Sequence, residues 1–160
     1  MRGKQLKLNL GCGRDIQEGF INLDKQELKG VDVVHDVEQF PYPFEDNSMD
    51  HINATMILEH ICPKNFIPIM NECWRILQAG KTMFIGVPIA GAWLDFQDPT
   101  HCNHIGECTM RYFDPAYPEY AFYSPKPWCI RKQAREVCKK GEWINIPIDC
   151  LEITLEKRHE

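Results

Sequence analysis

An α/β fold with a mostly parallel sheet, a reduced helix layer and an antiparallel C-terminal end is what this sequence predicts, and three observations carry the prediction. Short apolar segments recur through the first half of the chain, each ending in glycine or a carboxylate. One well-patterned helix lies between two such segments, and strand, helix, strand in that order marks a parallel crossover. Near the C-terminus the pattern turns to alternation, at Ile144, Ile146 and Ile148 and again at Leu151, Ile153 and Leu155, as in strands with one wet face.

Residues 6–10 open the series, with Leu6, Leu8 and Leu10 alternating against Lys7 and Asn9 and running into Gly11-Cys12-Gly13. Residues 20–23 stop at Asp24, and residues 31–34 are followed by His35 and Asp36. After a proline-rich turn at 41–48, residues 50–56 give a fourth strand and 56–61 a connecting turn. Pro63 suits a first helical turn, and Phe66, Ile69, Met70, Cys73, Ile76 and Leu77 recur at spacings of three and four until Gly80, which places a helix there. Residues 82–87 form an apolar fifth strand closed by Pro88. Only about ten residues separate the first two strands and fewer the next two, whereas a parallel crossover takes a dozen or more. The first crossover helix is therefore a single turn or absent.

The 160 residues make one domain, 1–160, long enough to bury ~68–70% of the unfolded surface. Composition is 44% hydrophobic and 26% charged, inside the globular range and away from disorder. Net charge is 18 minus 23, or -5, so no basic field draws nucleic acid, which is not an expected partner. Eight cysteines accompany a start without an apolar leader, so the thiols read as reduced and the chain as cytoplasmic. No window holds the ~20 apolar residues of a membrane helix, so no membrane association is expected. Residues 88–127 hold 6 of the 11 prolines and 8 of the 17 aromatic side chains; so many rings read as a lid or substrate wall rather than a linker.

Ligands of open parallel sheets bind beyond the carboxyl ends of the strands, and Gly11, Asp24, Asp36 and Met56 fall at four such ends. Gly11 and Gly13 let the backbone curl beneath a ligand, and Asp24 is placed to accept from two ribose hydroxyls. A dinucleotide fingerprint needs a third glycine where Ile16 stands, so the pattern points to a nucleoside cofactor without a diphosphate.

LNLGCG (8–13), NLD (22–24), DVEQFPYPFEDNSMDHI (36–52), MILEHI (56–61), ECWRILQAGKTMFIGVP (72–88) and DPTHCNHIGECTMRYFDP (98–115) together resemble the class I S-adenosylmethionine-dependent methyltransferases, in particular their small, minimal members. The ordered set spans roughly residues 6–115. The resemblance implies a Rossmann-like sheet and S-adenosylmethionine as cofactor. It sets Gly11, Cys12 and Gly13 at the methionine portion, Asp24 at the ribose, Asp36 with Val37 beside the adenine, and Thr55 and Met56 below the sulfonium. Asn9 joins these cofactor positions, standing where the family usually has an acid for the cofactor ammonium.

Methyl transfer needs positioning and, for a hydroxyl nucleophile, a base. His101 and His104, with Asp98 nearby, are the catalytic candidates, since imidazole accepts a proton near neutral pH. Glu59 and His60 read as structural, tying their turn to neighbouring backbone, and Glu72 with Arg75 as an exposed or strand-capping pair. His101, Cys102, His104 and Cys108 match no common zinc spacing, so no metal is expected. The basic run from Lys126 to Lys140 reads as a solvated face. A small molecule, a glycan or other metabolite, is the expected substrate. The alternative is a non-catalytic protein that binds S-adenosylmethionine or S-adenosylhomocysteine as a partner or sensor.

Overall fold

The computed structural model describes residues 5–138 and 148–158. Seven strands form one sheet in the order β3-β2-β1-β4-β5-β7-β6. They are β1 (Lys7–Leu10), β2 (Ile21–Asp24), β3 (Val33–Val34), β4 (Met49–Thr55), β5 (Leu77–Pro88), β6 (Trp128–Cys138) and β7 (Ile148–Lys157). The first five run parallel, while β7 pairs antiparallel to both β5 and β6. This is the Rossmann-like, mostly parallel sheet that the sequence predicts, with the antiparallel end on its C-terminal side.

Two α-helices occur among the described residues, α1 (Phe66–Ile76) and the short α2 (Trp93–Gln97). No helix joins β1 to β2 or β2 to β3, in keeping with crossovers too short to hold one. Among the described residues no helix is long and apolar enough to cross a membrane.

One face of the sheet is apolar. Leu8, Leu10, Leu23, Ile52, Ala54, Met83, Ile85, Val87, Ile153 and Leu155 are all buried there, and Ile69, Met70, Cys73 and Ile76 of α1 join the same cluster. Residues 88–127 contribute Ile105, Met110 and Phe113 to that core, so the aromatic-rich stretch is built into the domain. Cys73 is among the buried residues, and burial pushes its thiol above the ordinary range.

The opposite face carries the alternate residues and is polar. At its centre Asn9 lies opposite Asn22 on β2 and Asn53 on β4. Asn9 Nδ2 donates to Asn22 Oδ1 at 3.0 Å, and Asn53 Nδ2 donates to Asn9 Oδ1 at 3.0 Å. All three are buried. The row also holds the helix-free connection between β1 and β2: Asn9 Nδ2 donates to Asp15 O, and Asn22 Oδ1 accepts from the Gln17 amide.

Several local expectations are corrected. The helix stops at Ile76, because the fully buried Leu77 is taken into the sheet opposite Met49. Gly80, expected as its stop, sits within β5 at φ 73°, where the pairing register shifts between Met49 and His51. The basic run is not merely a solvated face: it contains β6, whose Arg131 and Arg135 pair with Glu156 and Asp149 of β7. Lys139, Lys140, Ile144 and Ile146 lie outside the described residues. Glu72 and Arg75 form a lock rather than an exposed pair. Glu72 is buried and accepts from the Tyr42 amide at 2.7 Å, while Arg75 binds Glu72, Asp46 and the carbonyls of Phe44 and Tyr42. They pin the loop before β4 to α1.

The asparagine row yields a test. Asn9→Asp would turn a double donor into an acceptor facing Asn22 Oδ1, which would keep only the Gln17 amide, and Asp15 O, which would lose its proton. A loss of about 2–4 kcal/mol in urea unfolding is expected, since a buried charge and an orphaned acceptor are both costly.

Candidate functional site

The carboxyl ends of β1, β2 and β3 and the turn after β4 converge on a small cleft open to solvent, lined by Gly11, Asp24, Lys25, Asp36, Val37, Glu38, Ile57, His60 and Ile61. Parallel pairing brings these strand ends to one edge, where ligands of such sheets bind.

The turn after β1 is shaped by its glycines. Gly11 has φ +64°, and a Cβ there would lie 2.5 Å from Cγ1 of Ile57. The Cys12 amide donates to Leu23 O at 2.9 Å, and the Gly13 amide donates to Asp24 Oδ2 at 2.8 Å. The other Asp24 oxygen accepts from the Gln26 amide at 2.9 Å. A carboxylate offers about four lone-pair sites, so Asp24 keeps roughly two for a ligand while its orientation is fixed by backbone. Cys12 is buried, and burial, then the Asp24 charge, raises its thiol pKa; it backs the turn as a neutral side chain. Asp36 caps the Glu38 amide at 2.9 Å, and the carbonyl of Val37 accepts from the Tyr42 hydroxyl at 2.8 Å.

Of the nine cofactor positions named from sequence, Gly11, Asp24, Asp36 and Val37 line the cleft, and Cys12 and Gly13 form the turn beside it. Asn9, Thr55 and Met56 are not among its lining residues. The amide of Asn9 is committed to the asparagine row, and Thr55 Oγ1 donates to Asn53 Oδ1 at 3.1 Å. Met56 leaves the strand at φ 53° and is partly exposed. Sequence reasoning missed Lys25, Glu38, Ile57, His60 and Ile61 as lining residues. Each follows within a few positions of a strand end that it did identify, which was the available signal.

A second group of polar side chains stands at the rim, between the turn after β4 and residues 95–104. The two segments are fastened by backbone: the amides of Cys102 and Asn103 donate to Glu59 O at 2.8 and 3.0 Å, and Asn103 Nδ2 donates to the carbonyls of Leu58 and Ile61. The ring of His101 packs edge-on to His60, with centroids 4.7 Å apart, and its Nδ1 lies 3.0 Å from Asp95 O. His104 Nδ1 lies 3.1 Å from both carboxylate oxygens of Asp95. Asp98 accepts from the Thr100 hydroxyl and amide, which lowers its pKa. Burial raises the Glu59 carboxyl to about 7, and lowers His60, with His101 adding to that effect. The Glu59 side chain does not tie its turn to the backbone as expected: both carboxylate oxygens are buried without a partner.

Residues 88–127, expected as a lid or wall, line no part of the cleft among the described residues. They reach its rim where His101 meets His60. Farther along, Asn103, Thr109, Tyr112 and Phe113 line an adjoining hollow with Pro63, Phe66 and Ile67.

A family model described as a methyltransferase domain matches residues 6–85, and the chain belongs to that family. The class is thus that of the S-adenosylmethionine-dependent methyltransferases, and S-adenosylmethionine is the cofactor. Solved structures agree on the fold. A SAM-dependent methyltransferase from Archaeoglobus fulgidus superposes with a TM-score of 0.67 at 18% identity, over 98% of this chain and 87% of that one. One from Methanosarcina mazei gives 0.68 at 14% identity, over 100% and 95% of the two chains. The 1,6-didemethyltoxoflavin-N1-methyltransferase of Burkholderia thailandensis, solved with 1,6-didemethyltoxoflavin and S-adenosylhomocysteine, gives 0.66 at 13% identity, over 98% and 73%. No curated protein matches the chain.

The close approach at Gly11 can be measured. Gly11→Ala is expected to destabilise the fold by about 2 kcal/mol, combining a left-handed φ with a methyl pressed onto Ile57. In the Gly11→Ala/Ile57→Ala double variant the steric part is relieved, so the two effects fall short of additivity by about 1 kcal/mol in a double-mutant cycle. Strict additivity would show that the two side chains do not meet.

Proposed function

We propose that this chain transfers a methyl group from S-adenosylmethionine to a small-molecule nucleophile, a glycan or other metabolite, in the cytoplasm. The observation that carries the reading is the strand-end cleft in which the Gly11 turn and the Asp24 carboxylate stand side by side, in a chain of the methyltransferase domain family. When bound, the cofactor supplies a methyl group already activated by a positive sulfur. The chain's residues fit such a group. Asp24, with two lone-pair sites to spare, accepts from the ribose diol. Gly11, Cys12 and Gly13 offer a turn that the methionine portion can approach closely, and Asp36 with Val37 flanks the adenine. The Asp24 and Asp36 carboxylates also favour a cationic ligand. With Asn9 committed to the sheet, the ammonium relies on backbone and on these more distant charges. Thr55 and Met56, at the end of β4, are kept as the floor on the sulfonium side.

For a hydroxyl nucleophile the proton goes to a base, and His104 has the geometry for it. Its side chain is 53% exposed, while its Nδ1 faces the carboxylate of Asp95, which is 1% exposed. A buried carboxylate holding one imidazole nitrogen leaves the other free to accept a proton, the base-and-orienter arrangement of nucleophilic enzymes. Asp98 adds negative charge on the same segment. His101 is 4% exposed and turned onto His60, so the role assigned to it here is positioning rather than proton transfer. Residues 93–104 leave β5 at the edge where β1, β2 and β4 also end, which favours access to a common substrate. The exposed rings of Trp93 and Phe96 on α2 offer apolar surface to a compact molecule. The Burkholderia thailandensis structure with its small-molecule ligand lends support by analogy.

Calorimetric titration with S-adenosylhomocysteine tests the cofactor site: micromolar binding, about -8 kcal/mol at 1 μM, is expected to weaken at least tenfold in Asp24→Asn. Unchanged affinity would move the ribose elsewhere. In a substrate screen that reads S-adenosylhomocysteine release, His104→Ala is expected to lower turnover ~100- to 10,000-fold without altering cofactor affinity. Cofactor binding with no turnover on any substrate would favour the non-catalytic partner or sensor.

A further inference from the structure

We propose that Glu59, His60 and His101 together bind a divalent transition-metal ion of the zinc type. Each presents a ligand atom, and the three atoms lie within 4.8 Å of one another. Bonds of about 2.0–2.2 Å to a tetrahedral ion hold ligand atoms about 3.3–3.6 Å apart, so a side-chain shift of about an ångström closes the set around an ion. Among the described residues this is the group of histidine, cysteine and acidic side chains within metal-binding reach.

The first argument is the carboxylate. Glu59 is 1% exposed, and neither of its side-chain oxygens has a hydrogen-bond partner. Its backbone carbonyl is satisfied twice, by the amides of Cys102 and Asn103, so the orphaning is confined to the side chain. Buried polar groups are nearly always paired, and an exception calls for a missing partner. For the ionised carboxylate, which only accepts, a partner that fits beside two imidazoles is a cation.

The second argument is the state of the two rings. Thr100 Oγ1 lies 2.6 Å from Asp98 Oδ1, and since a carboxylate only accepts, the hydroxyl proton goes to Asp98. Thr100 must then accept from His60 Nδ1, 2.9 Å away. His101 Nδ1 lies 3.0 Å from the Asp95 carbonyl, which also only accepts. Both imidazoles therefore carry their proton on Nδ1 and keep a lone pair on Nε2. A ring whose far N–H is held by a carbonyl, hydroxyl or carboxylate is the usual arrangement around a metal-ligating histidine. Asp98 Oδ2 lies 3.9 Å from His101 Nε2, an outer neighbour of the three. A dication there balances Glu59 and Asp98 together.

Two nitrogens and a carboxylate oxygen make a donor set suited to Zn²⁺ and its first-row neighbours rather than to Mg²⁺ or Ca²⁺. The cysteines of this region take no part: Cys102 and Cys108 are exposed, and Cys102 Sγ points to the carbonyls of His60 and Thr100. Sequence spacing gave no metal pattern because the ligands come from two segments some forty residues apart, joined by backbone hydrogen bonds. Since His60 also lines the cleft, the ion would stand in its wall.

The test uses the full chain after exhaustive dialysis against chelator. Titration with ZnCl₂ is expected to give one ion per chain with micromolar or tighter affinity. Co²⁺ is expected to give a visible spectrum lacking the near-ultraviolet band of thiolate ligation. Glu59→Gln and His101→Gln, each shown to be folded by circular dichroism, are each expected to weaken Zn²⁺ binding at least tenfold, whereas a Cys102→Ser/Cys108→Ser variant leaves it unchanged. If Glu59→Gln does not fold, His60→Gln takes its place. No stoichiometric uptake by the wild type, or affinity that follows the cysteines and ignores these three residues, would overturn the proposal. The readout involves no cofactor or substrate, so its outcome is separate from that of the methyl-transfer reading.

Discussion

A parallel sheet whose first crossovers are too short for helices must bury the middle of its second face by other means, and here a row of asparagines does so. Asn22, Asn9 and Asn53 link β2, β1 and β4 side chain to side chain and bind the loop that replaces the first crossover helix. Asn22 also donates to Asp32 Oδ2 at 3.2 Å and Thr55 donates to Asn53, so the chain of bonds runs from the entry of β3 to the exit of β4. An apolar residue in place of Asn9 would leave the Asp15 carbonyl unpartnered beneath the loop. An acid there would place a charge against two acceptors. Asn9 thus serves the sheet.

That constraint shapes the cleft. With no helices on the β1 to β3 side, the connections at the carboxyl edge are tight turns, so Gly11, Asp24 and Asp36 are set by backbone rather than by packing. Asp24 is held by two amides. The β4 to β5 side is different. There α1 is pinned by Glu72 and Arg75 to the preceding loop and gives the sheet its apolar backing. Ile57 and His60 project into the cleft from the connection between them. The site thus lies between a backbone-built half and a packing-built half, and each half supplies what its construction favours: fixed polar groups from the turns, larger side chains from the packed connection.

The backbone-built half was legible in the sequence, because turns and strand ends announce themselves through glycine, aspartate and short apolar runs. Leu8 and Leu10 before Gly11, and Leu23 before Asp24, are local signals and predicted the right edge. Whatever depended on distant partners was not legible. The strand at 128–138 was hidden because its basic residues do face solvent, while their acids stand on β7, outside the run itself. Leu77 continued the helical period yet entered the sheet, since pairing with β4 outweighed local propensity. Glu59 looked structural because nothing nearby in the chain reveals that its carboxylate is buried without a partner.

The packed half also concentrates its chemistry on one short element. α2 has five residues, and Asp95 within it is buried with every oxygen occupied in an orienting role. Its carboxylate holds His104 and the Gly91 amide, and its carbonyl holds His101. One residue therefore sets the direction of two imidazoles that face different ways, His101 inward to Glu59 and His60, His104 outward to solvent. A fold of this class does not determine its substrate; the groups grafted onto its edge do. In this chain two imidazoles at that edge share an anchor, so Asp95 couples the direction of His104 to that of the inner cluster.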